Sequence, residues 1–325
     1  RKRMVSLCGP EFDSPHFHKV RPRREGINFK LNKMRSNHFC LLSALVCEML
    51  LLAATSCEKM TLSESPDSEQ PNVVLRVSRF EQIPFPSTRA VDDICTRISF
   101  LVYDMYGDRI RQQNQQLGDE DFGETNFFLP SGHYFLVVVA HSSLGNPTST
   151  NARRISFTNK TGYTDTFLYA DSLVVNGEDI EKGLTLKRIV SMVRFQFDDE
   201  VPARSDSIRF YYTGGSGVFD AVGDGWGVVN SKQSQFYGVT HQERHFDIYT
   251  IPHAGDNDKL MVTVTSYHSG ANSVDIISER EIDNIPVRRN KITLCRGSLF
   301  SPVYVADFDI TILDRWDNDT IDFEF

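Results

Sequence analysis

Two histidines stand four residues apart in His241-Gln242-Glu243-Arg244-His245, a spacing that suggests a metal. A zinc protease needs H-E-x-x-H on a helix, so that both imidazoles meet one ion and the Glu meets its water. Here the Glu comes two places after the first His, and the surrounding pattern is that of β-structure. Along a strand, positions i and i+4 share a face but lie about 13 Å apart, too far for one zinc with bonds of about 2.1 Å. Gly214-Gly215-Ser216-Gly217 and Gly223-Asp224-Gly225-Trp226-Gly227 have the composition of a phosphate cradle. A cradle also needs a helix whose first amides face the phosphates, and no helical pattern follows. These glycines read as turns between strands. Asp119-Glu120-Asp121 and Asp256-Asn257-Asp258 lack the distal bidentate Glu of a calcium loop. No G-x-S-x-G frames a nucleophile. Two carboxylates for glycoside work would meet only in the fold, and no spacing points to them. The expectation is no catalytic residue, no metal, no cofactor and no enzyme.

The chemistry that the sequence does suggest is at Cys57. Residues 34–57 read MRSNHFCLLSALVCEMLLLAATSC: an early Arg, an apolar run over 39–54, then small residues. That is the layout of a secretory signal. A Cys directly after the small residues resembles the bacterial lipoprotein box, in which this Cys becomes the first mature residue and carries acyl chains. Ala54 stands where Leu is usual, and Glu48 interrupts the apolar run. The other reading, a buried helix or a membrane span, meets a run of about 16 residues where a span needs about 20. Residues 34–56 are therefore expected to be a lipoprotein signal peptide and Cys57 the lipid attachment site, with an exported domain beyond it.

Charge supports a division at the same place. Residues 1–33 hold nine basic and three acidic side chains, a net of +6, which leaves −14 of the chain's −8 for residues 34–325. An acidic body argues against nucleic acid as a partner, because phosphate must be met by basic patches. The basic leader, 1–33, reads as lying upstream of a true start at Met34, or as an extended positive region before the signal, and is left out of the fold. Of six cysteines, only Cys95 and Cys295 fall in the body. They read as a disulfide in an oxidising compartment or as two buried thiols on strands.

Residues 57–72 are polar, acidic and Pro-containing, and read as a tether. From Val73 the pattern is β: VVLRVSRF alternates, and residues 97–104, RISFLVYD, are rich in β-branched and aromatic types. Residues 106–125 are rich in Gln, Gly and acid and read as a long loop with room for a short helix. HYFLVVVAHS reads as a central strand buried on both faces. Leu173-Val174-Val175 before Asn176-Gly177 is a hairpin signal. Strands follow from about Ile189, at 207–212, weakly near 226–229 and 246–251, and in MVTVTSYHS. Residues 282–287 and 291–294 read as a further pair. Phe308, Ile310 and Ile312 alternate, as do Ile321, Phe323 and Phe325, and the first set is expected to complete its own domain. ISFLVY is echoed by IRFYY, and FFLPSG…FLVVVAHSS by YTIPHAG…MVTVTSYHSG. The simplest account is an all-β chain of two tandem β-sandwiches, at 73–185 and 186–325.

The stretch YYTGGSGVFDAVGDGWGVVNSKQ (211–233), preceded by LKRIVSMVRF (186–195), resembles the fimbrial anchor-subunit family of the Bacteroidales. That family includes the anchoring subunits of the major and minor fimbria, and the minor-fimbrium type is favoured. The resemblance implies two transthyretin-like β-sandwich domains in a non-enzymatic lipoprotein of the outer membrane, exposed at the surface. Such a protein holds the base of a fimbrium, limits its length, and binds the stalk subunit (fimbrillin) by strand pairing. Polymerising relatives lose an N-terminal segment to an Arg- or Lys-specific protease. An anchor should keep its first strand, because a cut after Arg76 or Arg79 would release it from Cys57. The alternatives are a tip or stalk subunit, or a surface glycan-binding lipoprotein using Trp226 and Trp316. Asp171-Ser172-Leu173 and Asp206-Ser207-Ile208 resemble O-glycosylation sites used in this phylum.

Overall fold

The computed structural model describes residues 70–81, 91–239, 245–270, 273–301 and 308–313. The described residues are all-β apart from a four-residue helix, α1 (Val91–Ile94). Cys57, the signal, most of the tether, His241, Trp316 and the alternating residues from Ile321 lie outside the described residues.

The first sandwich is built from β1 (Val73–Phe80), β2 (Arg97–Tyr103), β3 (Arg109–Gln116), β4 (Glu124–Phe127), β5 (Gly132–His141), β7 (Thr166–Val175) and β8 (Ile180–Arg188). Their order is β3-β2-β5-β7-β8-β1-β4. The β7–β8 join is only two residue pairs long, Phe167 opposite Arg188 and Leu168 opposite Lys187. There the sheet turns back on itself into two layers. Leu75 and Val77 of β1 and Leu184 and Leu186 of β8 then share one core with Phe100, Val138 and Phe167 from the other layer. Apolar positions are turned inward from both sheets, as in a sandwich. Burying such side chains stabilises by about 1.5–3 kcal/mol each.

The second sandwich repeats the plan. β10 (Ser207–Thr213), β13 (Gln233–Gly238), β15 (Lys259–Ser269) and β16 (Val274–Pro286) form one layer, in the order β13-β10-β15-β16. β9 (Ser191–Phe197), β14 (His245–Thr250), β17 (Ile292–Gly297) and β18 (Asp309–Leu313) form the other, in the order β14-β9-β17-β18. Phe195, Phe197, Phe210 and Phe246 interlock between the layers, with ring centroids 4.9 to 5.8 Å apart. β1 runs parallel to β8 as β9 runs parallel to β17, and the other neighbours are antiparallel in both. The repeat read from the sequence falls on matching strands: IRFYY of β10 on ISFLVY of β2, and MVTVTSYHS of β15 on FLVVVAH of β5.

The chain crosses from one sandwich to the other at Ile189 and Val190, between β8 and β9. A third core lies at this junction. Leu101, Val137 and Leu168 from the first half meet Met192, Phe219, Ile251 and Ile292 from the second. A small sheet of β6 (Ile155–Ser156), β11 (Val218–Asp220) and β12 (Trp226–Gly227) also joins the halves. Arg188, 1% exposed, pairs with both Asp165 oxygens at 2.7 and 2.8 Å and donates to Asn290 at 3.0 Å.

Two expectations are corrected. Residues 106–125 are not a long loop: β3 occupies 109–116. Its side chains are mostly exposed on a sheet edge, so RIRQQNQQ has no hydrophobic period to read. Residues 282–287 and 291–294 do not pair with each other. They belong to β16 and β17, which lie in opposite layers, β16 paired to β15 and β17 to β9 and β18.

Candidate functional site

The described strand that follows Cys57 most closely is β1. β1 is not at an edge. It pairs with β8 over Val73 to Phe80, through a bulge between Val77 and Arg79, and with β4 over Val73 to Arg76. Asn72 pins its start. Its side-chain amide donates to the Leu129 carbonyl at 2.8 Å and its side-chain oxygen accepts from the Leu129 amide at 2.9 Å. Its backbone amide donates to the Phe127 carbonyl, and its carbonyl accepts from the Ile180 amide. Val73 and Leu75 are fully buried. The alternation in VVLRVSRF thus places apolar residues inward and Arg76 and Ser78 outward.

Arg76 and Arg79, the candidate cut sites, both lie on this strand. The Arg76 guanidinium sits 2.8 Å from Glu124 and 3.5 Å from Glu181. Bonding to Glu124 and its charge hold Arg76 above the usual range, and the same bond holds the Glu124 carboxyl below its own. Both side chains are largely exposed, so the pair orients more than it stabilises. The protection of the Arg76 peptide bond comes from the ladders on either side: a protease must take its substrate as a free extended segment, and β1 is held between two neighbours.

The other candidate residues do not come together. His245 opens β14, exposed and opposite Gln196. Among the described residues no three His, Cys, Asp or Glu are grouped to hold a metal ion. The Gly214–Gly217 loop is a packing device: Gly214 has φ +102, and a Cβ at Gly215 would overlap the Thr250 side chain. Asp119 caps its turn by accepting from the Gln116 amide, Asp256 accepts from the Arg289 amide, and Asp258 accepts from His253. Trp226 is half-buried with the Arg289 guanidinium 3.4 Å over its ring, so one face of that ring is already occupied. Cys95 and Cys295 sit in different cores and do not pair with one another. Burial pushes the Cys295 thiol up to about 12. Phe308 and Ile310 pack on the second core beside β17, so this segment completes its own sandwich as expected. Ser172 is exposed on β7, and Ser207 begins β10 beside Asp206, which accepts from the Ser269 amide.

Sequence reasoning missed a cleft of about 640 Å³ where β7 and β8 part. Tyr169 to Ser172 line one side and Thr185 and Lys187 the other, with Asp224 and Arg289 from the second half at one end. Its only trace in the sequence is the hairpin signal at Asn176-Gly177, which gives no hint that the hairpin splays.

No family model matches the chain, and no curated protein matches its sequence. Solved structures resemble it at low identity. A candidate polysaccharide-binding protein from Bacteroides thetaiotaomicron has a TM-score of 0.45 at 11% identity, over 77% of this chain and 99% of that one. The fimbrial anchor protein Mfa2 from Porphyromonas gingivalis has a TM-score of 0.39 at 14% identity, over 75% and 97%. A fimbrial assembly protein from Parabacteroides distasonis has a TM-score of 0.37 at 12% identity, over 74% and 97%. At these values the likenesses say nothing of what this chain binds.

Proposed function

We propose that this chain is a lipid-tethered outer-membrane protein that anchors the base of a fimbrium at the cell surface. In this reading it holds the stalk subunit by strand pairing, limits the fimbrium's length, and catalyses nothing. The sequence supports the tether through Cys57, the apolar run before it and the polar spacer after it. The observation that carries the reading is β1. The strand next after the tether is laced between two others and buried in the first core, so a load on the lipid passes into the body of the fold.

The test is Cys57→Ala in the organism, followed by measurement of fimbriae on cells and in the medium. Release into the medium is the expected result. Fimbriae that stay on the cells with normal length would end the anchoring reading. Mass spectrometry of the mature N-terminus adds a second check, with an acylated Cys57 expected. A start after Arg76 or Arg79, without lipid, would mark a polymerising subunit instead.

A further inference from the structure

The two sandwiches share one strand plan except at a single position. In the second, the outer edge of β17 carries β18, paired antiparallel from Ile292 opposite Leu313 to Arg296 opposite Asp309. β8 is the counterpart of β17, because each runs parallel to the opening strand of its sandwich. Among the described residues, no strand covers the outer edge of β8 from Ile180 to Leu186. β7 keeps hairpin register with β8 only at Phe167 and Leu168, and the cleft opens beyond that point.

The backbone of β8 is set for a partner on that side. The Ile180 amide donates to Asn72 and the Leu186 carbonyl accepts from the Glu81 amide, so even-numbered residues face β1. Backbone groups alternate along a strand, which turns those of Glu181, Gly183 and Thr185 the other way. An open row of amides and carbonyls is a template for another strand. The cleft also offers apolar surface at Phe135, Leu168, Ala170 and Val222. Lys182 of β8 bonds Asp171 of β7 at 3.1 Å and lies 5.5 Å from the Tyr169 ring centre, which ties the two strands together where their backbones have parted. That ion pair is partly exposed, and such pairs are weak enough to be displaced.

We propose that the outer edge of β8 accepts an extended segment of a second polypeptide, paired antiparallel with Glu181 to Thr185 and laying alternate apolar side chains into the cleft. β18 supplies the chemistry of the occupant: Phe308 and Ile310 alternate with polar residues and pack on the second core from the corresponding position. The proposal rests on the reading that the chain works by holding another protein, but not on the lipid at Cys57.

The probe is a synthetic peptide of residues 306–315, ADFDITILDR, added to the full chain, with amide hydrogen exchange as the readout. In the free chain the Glu181, Gly183 and Thr185 amides exchange faster than those of Lys182, Leu184 and Leu186, which β1 protects. Saturating peptide slows the three by roughly tenfold or more, and a peptide with Phe308, Ile310 and Ile312 replaced by Ser does not. Thr185→Pro removes an amide on the open side, where an edge strand tolerates proline, and abolishes the effect. Lys182→Ala removes the side-chain tie to Asp171 without touching the backbone and tightens peptide binding. Three amides as slow as their neighbours in the free chain would mean that the chain already covers this edge itself, and the proposal falls. It falls equally if the peptide leaves them unchanged or protects β17 instead. Either failure leaves the outcome at Cys57 unaffected.

Discussion

Replacing Leu75 with Ala should make the Arg76 peptide bond a trypsin site. Leu75 is fully buried in the first core, one residue before Arg76, on the strand held by β8 and β4. Truncating a buried Leu to Ala costs about 2–5 kcal/mol, from lost transfer energy and the cavity left behind. A cost of about 3 kcal/mol raises the population in which β1 is detached by about 150-fold, at about 1.36 kcal/mol per factor of ten. Where opening and closing are faster than cutting, the cleavage rate follows that population. The assay is limited trypsin digestion under native conditions, with mass spectrometry to time the cut after Arg76. The parent should resist, and Leu75→Ala should be cut about 150-fold faster. Val262→Ala, an equally buried change in the second core, supplies the comparison. If it accelerates the cut as much as Leu75→Ala, β1 leaves only when the whole molecule unfolds. If Leu75→Ala is cut at the parent rate, packing of β1 is not what guards Arg76, and the reasoning fails.

Three further outcomes follow from buried groups. His141 is fully buried, and burial, aided by the Arg97 charge, pushes its pKa down to about 3 from 6.5. Its neutral form therefore contributes stability that is complete above pH 6.5 and is lost as pH falls towards 3. The unfolding free energy from urea titration should drop by an extra ~1.4 kcal/mol per pH unit across that window in the parent relative to His141→Gln. Cys295, with its thiol pushed up to about 12, should resist iodoacetamide at pH 8 in the native protein and react once urea unfolds it. Asp165→Ala removes the carboxylate paired with the buried Arg188 guanidinium and should cost about 3–5 kcal/mol by denaturant titration. Parent-like stability there would mean that Asn290 and solvent suffice for Arg188.

Legibility in the sequence tracked burial. β2, β5, β10 and β15 could be read because each puts apolar side chains on a buried face, and the echo between them matched the repeated topology. β3 and β13 could not, because edge strands such as RIRQQNQQ and QSQFYG bury few apolar side chains and owe their existence to pairing. The partner of a strand was also hidden: nothing in VVLRVSRF says that it will run parallel to a strand a hundred residues later. The reverse holds for Cys57, where the candidate function is written in local composition. The cleft beside β8 arises where a hairpin loses its rungs, which depends on how two sheets diverge and not on any one residue.

The direction of β1 has a mechanical consequence. Its far end, at Val73, lies opposite Ile180, and its near end, at Phe80, lies opposite Leu186, just before the crossing into the second half. A pull at residue 72, resisted by the rest of the chain through β8, therefore acts along the strand axis. The rungs to both neighbours are strained together, in shear, and cannot be unzipped one at a time. A joint of this geometry resists steady traction far better than a hairpin peeled from its open end.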